Sequence, residues 1–121
     1  ALRAAATPDE PARVINIGSV VGLKPSGRGF AYSTTKAAVH ALTQHLALVL
    51  GPESITVNAI APGPFETDLM AGRMAPIVER TALRRAGTDA DLIGTAVFLS
   101  SRAGAFVHGV VLPVDGGLAI A

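Results

Sequence analysis

Tyr32 and Lys36 stand four residues apart in a stretch of helical periodicity, so their side chains share one face of a helix, one turn apart. A tyrosine hydroxyl, with an ordinary pKa of about 10, is a spectator at neutral pH. A lysine ammonium held beside a phenol favours the phenolate, which lets such a pair exchange protons nearer neutrality. Ser19, thirteen positions before Tyr32, adds a hydroxyl that can hydrogen-bond a substrate oxygen and fix the reacting carbon. A Tyr-x-x-x-Lys pair alone is common. A half-buried pair with snorkelling tips, and a serine that caps a turn, are the plain structural alternatives.

The elements around these residues must bring them together. Residues 13–18 (Arg-Val-Ile-Asn-Ile-Gly) form a β-branched run that predicts a buried strand with Ser19 directly after it. Breakers at almost every second place make 22–29 a loop. From Phe30 to Leu50 apolar residues cover more than one face, which predicts a helix buried on several sides and stopped by Gly51-Pro52. Residues 55–60 predict the second strand, closed by Pro62-Gly63-Pro64. Residues 66–86 lack one clear period and read as a short helix or a mobile flap. Thr88 or Asp89 caps a helix over about 89–101. Residues 109–114 predict the third strand, and Asp115-Gly116-Gly117 turns out of it. Strand, helix, strand, helix, strand implies an α/β chain with a parallel sheet and right-handed crossovers. Ligands of such sheets gather at the carboxyl ends of the strands. Ser19, the segment from Pro62 to Thr67 and the start of the helix bearing Tyr32 and Lys36 therefore converge on one crevice.

Composition narrows the functions. The 121 residues are 50% hydrophobic, 16% charged and 4% aromatic, which suits one folded domain and not a disordered tail. Ten Lys and Arg against nine Asp and Glu leave a net charge of +1, with no clustered basic surface for nucleic acid or an anionic membrane. No apolar run reaches the roughly 18 residues of a membrane span. The absence of cysteine excludes disulfides and thiolate metal sites within this sequence and fits a reducing compartment such as the cytoplasm. The opening Ala1-Leu2-Arg3-Ala4-Ala5-Ala6 reads as the end of a helix begun earlier, so the sequence is expected to be a piece of a longer polypeptide.

Four ordered motifs sharpen the reading: Ile17-Gly18-Ser19-Val20-Val21-Gly22, Tyr32-Ser33-Thr34-Thr35-Lys36-Ala37-Ala38, Val57-Asn58-Ala59-Ile60-Ala61-Pro62-Gly63 and Val114-Asp115-Gly116-Gly117. Together they resemble the short-chain dehydrogenase/reductase family, especially its 3-oxoacyl-(acyl-carrier-protein) reductase-like and sugar or polyol dehydrogenase-like members. The resemblance runs from Arg13 to Gly117. It implies the C-terminal half of a doubly wound, Rossmann-type parallel sheet, and interconversion of a carbonyl and a secondary alcohol with NAD or NADP. Tyr32 would be the general acid/base and Lys36 its partner, also holding the nicotinamide ribose. Ser19 would orient the substrate oxygen. Backbone around Pro62, Gly63 and Phe65, with the Thr67 hydroxyl, would hold the nicotinamide carboxamide. The segment after Thr67 would bind substrate, with Leu69, Met70 and Met74 giving it an apolar character. The long helix and the last strand with its neighbouring helix would build a homodimer or homotetramer.

The family's glycine-rich TGxxxGxG turn, its cofactor-selecting residue, its NNAG strand and its upstream catalytic asparagine have no match here; Gly27-Arg28-Gly29 lacks the third glycine. Residues 1–121 are thus expected to form a single partial domain without the N-terminal cofactor-binding half, nearly inactive alone, and silent on NAD against NADP. A non-catalytic half-domain used for association is the competing expectation. His40 and His45, five apart, are expected in structural or interface roles, with no metal site; His108 reads as isolated. Asp115 is expected to set its turn, and Arg84 and Arg85 to lie on a solvated face.

Overall fold

Eight β-branched and small residues, Ile55–Pro62, form the middle strand of a three-stranded parallel sheet in the computed structural model, which describes residues 1–27, 29–67, 70 and 72–121. In chain order the elements are α1 (Leu2–Ala5), β1 (Ala12–Ile17), α2 (Phe30–Leu50), β2 (Ile55–Pro62), α3 (Ala75–Val78), α4 (Asp89–Ser100) and β3 (Val111–Val114). Among the described residues the strand order is β1-β2-β3; Val14 pairs with Val57, Ile17 with Ile60, and Pro62 with Val114. Pro113 is tolerated because β3 is an edge strand of this sheet, where a missing N–H breaks no inner ladder. No helix is long and apolar enough to cross a membrane among the described residues.

Val57, Ala59 and Ala61 are completely buried because helices cover both faces of β2. Side chains alternate along a strand, so each contact identifies a face. On one face Ile55 and Val57 pack with Ala47, Leu46 and Leu50 of α2 and with Val14 of β1. Asn16, on the same face of β1, donates to Thr43 Oγ1 of α2 at 3.0 Å. On the other face Arg13 reaches the carbonyl of Ser101, just past α4, at 3.2 Å. Asn58, also on that face, ties β2 to the segment after α4: its amide donates to Val107 O at 2.8 Å and its carbonyl accepts from Val110 N at 3.1 Å.

The helices α2 and α4 therefore lie on opposite faces of a sheet whose strands follow one another in simple order. The two crossovers must have opposite hands, which corrects the expectation of right-handed connections throughout. The handedness rule holds where a twisted strand feeds its helix directly. Between β2 and α4 the chain instead runs through residues 63–88, including α3 and a bridge between Phe65 and Gly87, and that length lets it change faces.

The predicted boundaries of α2 coincide with those observed, set off by Gly29 in the left-handed region (φ 68°) and Gly51 at the C-terminal cap. The strands begin or end within two residues of expectation, and α3 matches the first of the two alternatives, short helix or flap, left open for 66–86. His108 is not isolated. Its Nδ1 accepts from Val57 N at 3.1 Å, so Nε2 carries the proton and donates to Ala47 O at 2.8 Å, pinning β2 to α2.

Arg85 is paired, not simply solvated: its guanidinium forms two bonds with Asp91, at 2.7 and 2.9 Å. Asp91 also accepts from Thr88 N and Thr88 Oγ1, both at 2.8 Å, at the start of α4. Arg85 first, then the Thr88 donors, hold this carboxyl well below the usual aspartate range. A carboxyl lowered in the fold stabilises it above the unfolded pKa, and that contribution is lost as pH falls below it. The wild-type Tm should therefore fall more steeply than that of Asp91→Asn between about pH 5 and about pH 3, read by thermal melts across that range. Parallel curves would show that the pair contributes nothing.

Candidate active site

Ser19 follows β1 and opens a tight turn over Val20–Gly22; it is buried, with 8% of its surface exposed. Its Oγ accepts a long bond from Val21 N at 3.4 Å, so the capping role read as the plain alternative is present. One lone pair and the hydroxyl proton stay available to a substrate oxygen. Gly18 N donates to Ile60 O at 2.7 Å, continuing the β1–β2 ladder to the residue before Ser19.

Tyr32 lies in the first turn of α2, 56% exposed, and its hydroxyl has no hydrogen-bond partner among the described residues. The Lys36 ammonium sits 5.7 Å from the centre of the Tyr32 ring and donates to Ile17 O at 2.9 Å. One of its three N–H groups is thus spent on the carboxyl end of β1, two residues before Ser19, and two remain. The helix spacing brings Lys36 to Tyr32, and the bond to Ile17 brings both to the strand end that carries Ser19.

Pro62 closes β2, and Gly63 N donates to Val114 O at 2.9 Å. A Cβ on Gly63 would stand 2.5 Å from the Cα of Asp115, so only glycine fits this approach of β2 to the turn after β3. Phe65 bridges to Gly87, where a Cβ would meet its ring at 2.5 Å. Thr67 is exposed beyond it, its carbonyl accepting from Met70 N at 2.8 Å. Gly63, Phe65 and Thr67 thus follow the carboxyl end of β2, while Pro62, expected just past it, is its last residue. Asp115 does set its turn, accepting from Gly117 N at 2.9 Å and Ala119 N at 2.8 Å.

Two hollows of similar size open at this edge. One of about 390 Å³ lies beyond Phe65, between Leu83, Pro113 and Gly116. The other, of about 350 Å³, is walled by Val20 and Val21 next to Ser19, by Ile77 of α3 and by Leu118. The second adjoins the candidate serine, but Lys24, Ser26 and Arg80 also line it, so its walls are mixed and not the apolar ones expected of the segment after Thr67. Met70 and Met74 are half-buried, and Leu69 and Arg28 lie outside the described residues. Sequence reasoning left His40 in a general structural role. The structure puts it beneath Ser19, where its Nε2 accepts from Ser19 N at 3.4 Å. Its position four residues after Lys36 was the available signal.

Helices on both faces of a parallel sheet, with polar side chains gathered at its carboxyl edge, are the arrangement of a Rossmann-type nucleotide-binding domain. The chain belongs to the short-chain dehydrogenase/reductase family: the family model described as enoyl-(acyl carrier protein) reductase matches residues 1–119. It is 40% identical over 123 residues to the rhamnolipids biosynthesis 3-oxoacyl-(acyl-carrier-protein) reductase of Pseudomonas aeruginosa, covering 96% of this chain and 48% of that protein. Among solved structures, the Pseudomonas aeruginosa RhlG/NADP active-site complex superposes with a TM-score of 0.91 at 37% identity, over 98% of this chain and 51% of that one. The 3-ketoacyl-(acyl-carrier-protein) reductase from Brucella melitensis complexed with NADH gives 0.90 at 29% identity, over 98% and 49%. The chain spans about half the length of these relatives.

Proposed function

We propose that the polypeptide carrying these residues is an oxidoreductase that interconverts a carbonyl and a secondary alcohol with NAD or NADP. The observation that carries this reading is the Lys36 ammonium, held between the Tyr32 ring and the end of β1. Ser19 accepts or donates a hydrogen bond at the substrate oxygen and fixes the carbon beside it. In reduction Tyr32 gives its hydroxyl proton to that oxygen; in oxidation it takes the proton back. Lys36 stabilises the charge that this leaves on the phenol oxygen. The bound cofactor supplies or accepts the hydride.

The residues present fit the nicotinamide end of such a cofactor. Lys36 has two donors left for ribose hydroxyls, the Tyr32 hydroxyl is open, and Thr67 is exposed past the end of β2. Pro62, Gly63 and Phe65 would offer backbone groups to the carboxamide. Residues 1–121 contain no glycine-rich pyrophosphate turn. The activity is therefore assigned to a polypeptide of the relatives' length, with 1–121 as its catalytic half. The relatives' NADP and NADH complexes support either nucleotide.

Assembly as a homodimer or homotetramer fits the same molecule. Leu42, Leu48 and Val49 of α2 and Ile93 and Val97 of α4 are exposed apolar side chains on regular elements. They support association alongside catalysis. The lack of cysteine suits the cytoplasm as the place of action. The test is to incubate the full polypeptide with NADH or NADPH and a panel of β-keto esters, keto sugars and cyclic ketones, following loss of reduced nicotinamide. Turnover with at least one carbonyl is expected. None with any, in a folded protein that binds either nucleotide, would overturn the reading.

A further inference from the structure

Tyr32, Lys36 and His40 follow one another at steps of four along α2; Tyr32 is exposed and Lys36 half-buried. His40 is buried, with 7% of its surface exposed, and its ring fills the space left by two glycines of the strand end and turn. A Cβ on Gly18 would stand 2.2 Å from its Nε2, and one on Gly22 would stand 2.7 Å from its Cε1. The backbone on both sides of Ser19 is thus moulded around this imidazole.

Two bonds then join α2 to the end of β1 on either side of Gly18. The Lys36 ammonium donates to Ile17 O at 2.9 Å, and Ser19 N donates to His40 Nε2 at 3.4 Å. Accepting at Nε2 requires a neutral ring with its proton on Nδ1. Burial first, and the Lys36 charge second, keep the ring neutral by lowering its pKa. Nδ1 is buried with no hydrogen-bond partner among the described residues. A side chain kept only to fill this space would be apolar and leave no stranded donor, because a buried unpaired polar group is costly. What the imidazole offers that leucine does not is an acceptor aimed at the Ser19 amide.

We propose that His40 is a positioning residue: through the backbone of Ser19 it fixes the serine hydroxyl in register with Tyr32 and Lys36. The helix that carries the proton-transfer pair thereby also sets the group that orients the substrate. This rests on the role given to Ser19 under the proposed function, although the contact itself does not.

The test compares His40→Leu, which keeps bulk and loses the acceptor, with His40→Gln, whose amide oxygen reaches the Nε2 position. If His40→Leu fails to fold, His40→Asn takes its place, since its shorter amide reaches Nδ1 and not Nε2. In the full polypeptide, exchange of the Ser19 amide hydrogen should speed up about tenfold or more in His40→Leu and return toward wild type in His40→Gln. With ethyl acetoacetate as the carbonyl probe, kcat should fall about tenfold in His40→Leu with KM little changed, and His40→Gln should recover most of it. Unchanged Ser19 exchange in His40→Leu overturns the proposal. So does a kcat loss in His40→Gln equal to that in His40→Leu at matched Tm. If the wild type does not reduce the probe, amide exchange still decides for or against the contact, while the Tyr32→Phe comparison bears on the proposed function.

Discussion

Replacing Tyr32 with phenylalanine should lower kcat by about two orders of magnitude or more, the usual size of a general acid–base contribution, while the fold survives. The change removes one oxygen and nothing else. That oxygen bonds to no described residue, and the ring stands 56% exposed at the start of α2, outside the buried core. Lys36 keeps its bond to Ile17 O in the variant, so the strand end stays tied to the helix. A thermal melt within a degree or so of wild type, together with the collapse in kcat, would separate chemistry from folding. KM should change little, because the hydroxyl matters most when the substrate oxygen gains or loses charge. A Tyr32→Phe enzyme with wild-type turnover would remove the catalytic reading, and the exposed apolar faces of α2 and α4 would then stand for association alone.

The largest effect on stability is expected at Asn58. Its side chain is 1% exposed, and both ends of its amide serve the backbone: Val107 O accepts from it and Val110 N donates to it. Asn58→Ala strands one part-buried carbonyl and one part-buried N–H and opens a small cavity beside them. Each stranded group costs about 1–3 kcal/mol, so a loss of about 3 kcal/mol or more is expected by urea unfolding. The approach to β3 depends on these two bonds, and Ala59 N also donates to Val110 O at 2.8 Å. Asn58→Asp keeps the acceptor for Val110 and loses the donor to Val107, and should not rescue the loss, because it places a charge in the core. A loss under about 1 kcal/mol for Asn58→Ala would mean that water or a backbone shift satisfies both groups.

Much of this molecule was legible in its sequence because its signals are local. The β-branched run 55–60, the glycines at 29 and 51 and the capping residues at 88 and 89 act within a few residues of themselves. The elements they predict were observed with small shifts. The placement of Lys36 next to Tyr32 is equally local, one helical turn. What escaped is what depends on partners far along the chain. His108 is isolated in sequence, yet it bonds Val57 and Ala47 because α2, β2 and the approach to β3 meet there. His40 carried the spacing of a third residue on the Tyr32 face, but nothing local shows that Gly18 and Gly22 make room for its ring. The hand of the second crossover escaped for a different reason. A general rule was applied to a connection whose long detour between β2 and α4 removes the physical basis of the rule.

The contact of Gly63 with Asp115 carries one more consequence. The floor on which Pro62, Gly63 and Phe65 lie is not self-supporting: Asp115 occupies the volume a Gly63 side chain would need, and its carboxylate is clamped by Gly117 N and Ala119 N. The contour of the candidate nicotinamide site is therefore cast against the turn that follows β3. Alterations at 115–119, remote in sequence from Ser19, Tyr32 and Lys36, should act as changes in the mould and tilt the end of β2 without touching any group that handles a proton.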